Sequence, residues 1–140
     1  MDPSRPEIVY AGVRSGSVAQ PHGLYRSEDT GEHWVFAFSG VSEGEWHLGE
    51  DLAINPVNSR TLLVALGYKG GVYKSHDRGP SWYSANTGIG LEGGQYVFSA
   101  AIDPADTDIV YAAGTEVYVS YDAGATWQEM GEGLPAHLAW

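Results

Sequence analysis

The chain has 140 residues, 43% of them hydrophobic, with 18 acidic against 7 basic side chains and a formal net charge of −11. That length suits one domain with a buried core, that hydrophobic share excludes a disordered chain, and that charge repels a phosphate backbone, so no nucleic-acid partner is expected. The chain has no cysteine, which excludes disulfides and thiolate metal sites, and no apolar run reaches the length of a membrane span.

Taken in chain order, the segments read as short strands rich in Val, Ile and Tyr and bounded by Gly, Pro and Asp. The marker Asp2-Pro3 is followed by "EIVYAGV" (7–13), "GLYRS" (23–27), the polar turn "SEDTGEHW" (27–34) and the strand "HWVFAFS" (33–39). The second round opens with "EDLAIN" (50–55), turns at Asn55-Pro56, and runs through "TLLVALG" (61–67), "GVYKS" (71–75) and the turn "SHDRGPSW" (75–82). The third repeats the order: "YVFSAAID" (96–103) into Asp103-Pro104, "DIVYAAG" (108–114), "EVYVS" (116–120) and the turn "SYDAGATW" (120–127). Last comes "AHLAW" (136–140). No segment holds a 3.6-residue apolar period over a helix length. The turn serines Ser27, Ser75 and Ser120 are 48 and 45 residues apart. Four antiparallel strands at a period in the forties make a propeller blade, so the expected fold is all-β, with three blades in one unit over 1–140.

Each turn follows S-x-D-x-G-x-x-W, with Ser27, Asp29, Gly31 and Trp34, then Ser75, Asp77, Gly79 and Trp82, then Ser120, Asp122, Gly124 and Trp127. A short carboxylate at a reversal accepts hydrogen bonds from backbone N–H groups that the turn leaves over, and glycine takes positive φ without a Cβ clash. The tryptophan offers a large apolar plate to pin the hairpin to its blade. Such a turn is a clip, needed once per blade, and its three carboxylates are read as structural.

The three turns resemble Asp boxes, or BNR repeats, of sialidases, sortilin-type receptors, xyloglucan-degrading glycosidases and a photosystem assembly factor. The stretch "LAINPVNSRTLLVALGYKGGVYKSHDRGPSW" is most similar to blades of the glycosidase group. His33, where the other boxes have Ser or Thr, and Pro80 in the second box are the departures. The resemblance implies a propeller with its boxes on the face away from the ligand, and a secreted protein, although the sequence shows no basic-then-apolar leader. It carries no chemistry by itself, because one box serves enzymes, receptors and scaffolds alike.

Propellers hold about four to eight blades, so three do not close a ring. Blade one has no innermost strand ahead of its Asp-Pro marker, and the segment 136–140 is the expected substitute. Head-to-tail pairing is then expected to close the ring, as a homodimer of six blades or alternatively a trimer of nine. A fragment of a longer propeller, and an engineered or ancestral-type assembly unit, are the other readings of the same ends.

The ligand face is expected on the loops that join strands two and three and those that join blades. There the candidate residues are Arg14, Glu45, Trp46, His47, Tyr68, Lys69 and Tyr96. Trp46 stands in "GVSEGEWHLGE" (40–50), outside the boxes, and a tryptophan beside carboxylates and a histidine suits a sugar ring and its hydroxyls. The five histidines show no metal-ligand spacing, and neither a metal nor a cofactor is expected. A glycoside hydrolase needs two opposed carboxylates, and no residue matches a catalytic motif of that kind, although Glu43, Glu45, Glu50 and Asp51 are available. The expectation is a non-catalytic scaffold or binding module with a glycan as ligand; the alternative is a fragment of a sialidase- or xyloglucanase-like enzyme.

Overall fold

A computed structural model describes residues 2, 4–13, 23–38, 41, 51–68, 70–91 and 96–131. Among them are twelve strands and no helix. These are β1 (Val9–Val13), β2 (Gly23–Ser27), β3 (Val35–Phe36), β4 (Asp51–Ile54), β5 (Leu62–Ala65), β6 (Gly67–Tyr68), β7 (Val72–Ser75), β8 (Tyr83–Ser84), β9 (Tyr96–Ile102), β10 (Val110–Gly114), β11 (Val117–Ser120) and β12 (Gln128–Glu129). They pair into three antiparallel sheets, in the orders β1-β2-β3, β4-β5-β7-β8 and β6-β9-β10-β11-β12. Each sheet is a propeller blade, and the all-β reading holds. Blade 1 shows three strands among the described residues, and the strand expected over 136–140 lies outside them.

The Asx-Pro markers act as turn caps. Asp2 Oδ1 accepts from the N–H groups of Ser4 (2.8 Å) and Arg5 (3.1 Å), Asn55 Oδ1 from Val57 (2.9 Å) and Asn58 (2.8 Å), and Asp103 Oδ1 from Ala105 (2.8 Å) and Asp106 (3.2 Å). Each cap turns the chain into the next strand, with the turn serine of each blade opposite Val9, Leu62 or Val110. That shared register makes Tyr10, Leu63 and Tyr111 equivalent, and likewise Ala11, Val64 and Ala112.

The core lies between blades. One cluster joins Leu24, Phe38 and Val41 of the first repeat to Leu62, Val64, Leu66, Tyr73 and Trp82 of blade 2. The other joins Leu63, Ala65, Val72, Ala85 and Ile89 to Val97, Ala100, Val110, Ala112, Tyr118 and Trp127. Alternate residues of β5 therefore serve two different seams, which is why that strand is buried at all four positions.

The tryptophans hold these seams, and here the structure departs from the sequence reading. Trp82 Nε1 donates to the carbonyl of Ala37 in the preceding repeat (2.8 Å) as well as to Gly79 of its own turn (2.7 Å). Trp127 Nε1 donates to Ala85 of the preceding repeat (2.7 Å). The plate pins a blade to its neighbour as well as to its own turn. A second seam link comes from the basic residue before each clip: Arg26 Nη1 donates to the Arg78 carbonyl (3.3 Å), and Lys74 Nζ to that of Ala123 (2.5 Å).

The link between β5 and β7, expected among the loops that join strands two and three, also differs. Gly67 and Tyr68 form β6 and pair with Val97 and Tyr96 of blade 3. Gly67 (φ 58°) and Gly71 (φ 67°) bend the chain, and the Leu66 N–H bonds the Gly71 carbonyl (2.9 Å). The pair between them lies along the exposed edge of β9 and satisfies part of it.

Replacing Trp82 by Ala removes a 4%-exposed plate and leaves the Ala37 carbonyl without its donor. Urea denaturation should show a loss of about 3–5 kcal/mol. A loss under about 1 kcal/mol would mean that the seam does not rest on this residue.

Candidate functional site

The three clips share one geometry. The serine hydroxyl donates to the aspartate Oδ1 (2.7 Å in the first turn, 2.8 Å in the second, 2.7 Å in the third). Its oxygen also accepts the glycine N–H at 2.9, 2.9 and 2.8 Å. The same Oδ1 accepts the N–H four residues on, from His33 (2.9 Å), Ser81 (3.1 Å) or Thr126 (2.8 Å). The second carboxylate oxygen takes that residue's side chain: the His33 ring at 2.6 Å, the Ser81 hydroxyl, or the Thr126 hydroxyl at 2.6 Å. His33 thus makes the bond that Ser and Thr make elsewhere, which explains why the first turn tolerates it. Asp29, Glu32 and His33 bring ligand atoms within 4.8 Å of one another, but the cluster is solvent-facing and its His–Asp contact is this clip bond.

These bonds favour the charged carboxylates. Asp122 falls to about 2, through the Thr126 hydroxyl, the Thr126 N–H and Ser120 in turn. Asp29 is held well below the usual carboxylate range by the His33 N–H, then Ser27 and the His33 ring. At Asp77 burial acts the other way, and bonds from Ser81 and Ser75 outweigh it to give a net lowering. These carboxylates each hold their own turn together.

A different arrangement lies on β9. Its pairing with β10 runs Ala113 to Ser99 and then Gly114 to Val97, so Phe98 is the extra residue of a β-bulge. Burial follows the bulge: Val97 and Ala100 face the core, whereas Tyr96, Phe98 and Ser99 are exposed. A Cβ on Gly114 would stand 1.7 Å from the Tyr96 carbonyl oxygen, so the close pass of β9 needs glycine there. The result is a stacked aromatic pair, Tyr96 and Phe98, with centroids 5.2 Å apart, planes at 22° and exposures of 39% and 42%. Beside it the Ser99 hydroxyl donates to Asp51 Oδ2 (2.7 Å), and the Ala100 N–H reaches the same oxygen (3.3 Å). Asp51 opens β4, so the platform spans the seam between blades 2 and 3.

Of the ligand-face candidates, Tyr96 is in this platform and Tyr68 is opposite it in β6. Arg14, Glu45, Trp46, His47 and Lys69 lie outside the described residues. Phe98 is the residue that sequence reasoning passed over. The signal was present as aromatics two apart in "YVFSAAID", which a strand places on one face.

No protein-family model matches the sequence, and no curated protein matches it. Solved structures do. The GH74 xyloglucanase of Xanthomonas campestris aligns with 96% of this chain at 23% identity and a TM-score of 0.68. An ancestral GH74 enzyme aligns with 93% at 20% identity and a TM-score of 0.71, and YCF48 bound to D1 peptide with 76% at 12% identity and 0.55. This chain spans 23%, 17% and 33% of those three chains. Together with the three sheets, these likenesses establish a β-propeller fold.

The clips generate an acid dependence. Their folded pKa values lie below the unfolded value of about 4, so the unfolded chain takes up protons first as pH falls. Their contribution is complete above that value and is lost as pH drops through the folded values, down to about 2 for Asp122. The melting-temperature gap between wild type and Asp122→Asn should be widest near pH 6 and close toward about pH 2. A gap that stays constant across that range would dissociate the clip from the carboxylate's charge. Asp77→Ala should cost on the order of 1–3 kcal/mol near neutral pH, read by denaturant titration, because it strips turn N–H groups of their acceptor.

Proposed function

We propose that the three turns are Asp boxes and that the chain supplies blades of a glycosidase-type propeller that hold a glycan without cleaving it. The observation that carries this reading is the exposed Tyr96–Phe98 stack on the innermost strand of blade 3. Two rings turned outward by a bulge form an apolar plate of the kind on which a sugar ring lies, with its C–H face against the aromatics. Asp51 and Ser99 supply acceptor and donor atoms at its border. The likeness to GH74 xyloglucanases supports a decorated glucan as the class of ligand. Glycoside cleavage requires a second carboxylate across the bond from the first. Among the carboxylates with described roles, Asp29, Asp77 and Asp122 are engaged in clips, Asp2 and Asp103 in turns, and Glu7 and Glu28 with arginines. Among the described residues, Asp51 is the carboxylate seen to bond at the platform's border.

Calorimetric titration with xyloglucan oligosaccharides should show binding, and a reducing-end assay on the same samples should show no cleavage. Phe98→Ala and Tyr96→Ala should each weaken binding by roughly tenfold, the scale of one aromatic contact, with the melting temperature little changed. Equal affinity in both variants would remove the platform from the site, and release of reducing ends by wild type would make the chain an enzyme.

A further inference from the structure

We infer that this chain carries the two halves of one more inter-blade seam, and that a second copy of the same chain fills it head to tail. The argument is independent of glycan binding and rests on the two seams already within the molecule.

Each seam joins a leading face to a trailing face. In blade 2 the leading face is Val64, Leu66, Tyr73 and Trp82, all between 0% and 6% exposed. The same positions in blade 3 are Ala112, Gly114, Tyr118 and Trp127, with Ala112, Tyr118 and Trp127 at 4% or less. In blade 1 they are Ala11, Val13, Tyr25 and Trp34. These four line an open cavity of about 340 Å³, and Trp34 is 41% exposed. Trp34 Nε1 makes the bond within its turn, to Gly31 at 2.9 Å, as Trp82 does to Gly79. Among the described residues the second half of the pattern, a carbonyl from a preceding blade, is not met. Among the described residues, a Cβ built on Gly31 meets Trp34 alone, whereas Gly79 and Gly124 meet Ala37 and Leu63 of the blade before them.

The trailing face shows the complement. At the two internal seams it offers the carbonyls of Ala37 and Ala85, which lie three residues after Trp34 and Trp82. The same step after Trp127 is Met130, which is 45% exposed. At the first seam the Tyr10 hydroxyl donates to the carbonyl of Arg78 (3.2 Å), the left-handed residue of the next clip at φ 69°. Tyr10 recurs as Tyr111, 40% exposed, and Arg78 recurs as Thr30, at φ 60°. Thr30 and Arg78 even share their backbone bond, to Glu7 and Arg60 respectively, both at 3.0 Å. The basic residue of the first two trailing faces is replaced by Val119, so the tyrosine is the donor left for this carbonyl. Docking one copy's trailing face on another's leading face therefore sets two bonds already seen inside the chain: Trp34 Nε1 to the carbonyl of Met130, and the Tyr111 hydroxyl to the carbonyl of Thr30. Val117 at the position of Leu24 and Val72 enters the cavity over Ala11 and Tyr25. A second copy satisfies both ends at once and closes six blades.

Sedimentation equilibrium at micromolar concentration should give about twice the chain mass of 15.0 kDa. Three times that mass supports the same seam in a larger ring. Trp34→Glu and Tyr111→Glu, both at exposed positions, should each give a folded monomer, checked by circular dichroism. Mixed in equal amounts, the two variants should associate, because the good trailing face of one meets the good leading face of the other. A wild-type monomer at all concentrations would overturn the inference and leave the two faces to blades of another polypeptide. An oligomer whose variants fail to rescue each other would overturn it in favour of a face-to-face contact. The absence of cysteine permits a second readout: Thr30→Cys with Tyr111→Cys in one chain, treated with a short bismaleimide, should cross-link between chains. Cross-linking within single chains alone, at protein concentrations where the mass is doubled, would also sink it.

Discussion

The bond from a tryptophan N–H to a carbonyl in the preceding repeat is the interaction on which this architecture depends. An indole is the largest apolar surface a residue can bury, yet its one polar atom needs an acceptor when buried. At Trp82 and Trp127 both demands are met across a seam, by the plate over the neighbouring blade and by the carbonyls of Ala37 and Ala85. The clip exists to place that plate. Its serine and aspartate fix the eight-residue turn, and the left-handed residue within it, Thr30, Arg78 or Ala123, bends the chain so that the tryptophan faces backward. A left-handed non-glycine residue costs about 1–2 kcal/mol, offset here by several bonds to one serine and one aspartate. At Arg78 and Ala123 the strained residue also presents its carbonyl to a donor from the blade before. Local strain and seam contact are two ends of the same turn.

The repeat was legible because the clip is built from side chains. Ser, Asp, Gly and Trp recur at fixed offsets since each supplies an atom that no other residue supplies as well, and the strands around them followed from apolar runs between Pro and Gly. The seam was not legible because its partner is backbone. The carbonyls of Ala37 and Ala85 carry no residue identity, so the sequence shows two alanines and gives no sign of a shared role. The same reason hides β6. Gly67 and Gly71 announce a bend, but pairing with β9 depends on an open strand edge that only the assembled blades create.

The candidate site was half legible for a related reason. Tyr96 was identified from its place just past an inter-blade loop, and Asp51 as a carboxylate near another. Phe98 stands inside a strand, where an aromatic is ordinarily core. What turns it outward is the bulge, and the bulge in turn is tied to Gly114, a residue of the neighbouring strand. Neither Phe98 nor Gly114 alone marks a site. Their register across β9 and β10 does.

Seam and platform are also mechanically one structure. The stack of Tyr96 and Phe98 belongs to blade 3, while Asp51, which bonds Ser99 and the Ala100 N–H beside it, belongs to blade 2. β6 adds a strip of the second repeat along the same strand. In a repeat architecture each blade is stabilised chiefly by its neighbours, so any shift between blades 2 and 3 moves the two halves of the platform apart. Trp127, on the seam's far side in the clip, holds those blades through the carbonyl of Ala85 and through its own N–H on Thr87 (2.9 Å). The clip thereby acts on the platform at a distance. It contributes no atom to the platform, yet it fixes the spacing of the two blades that do.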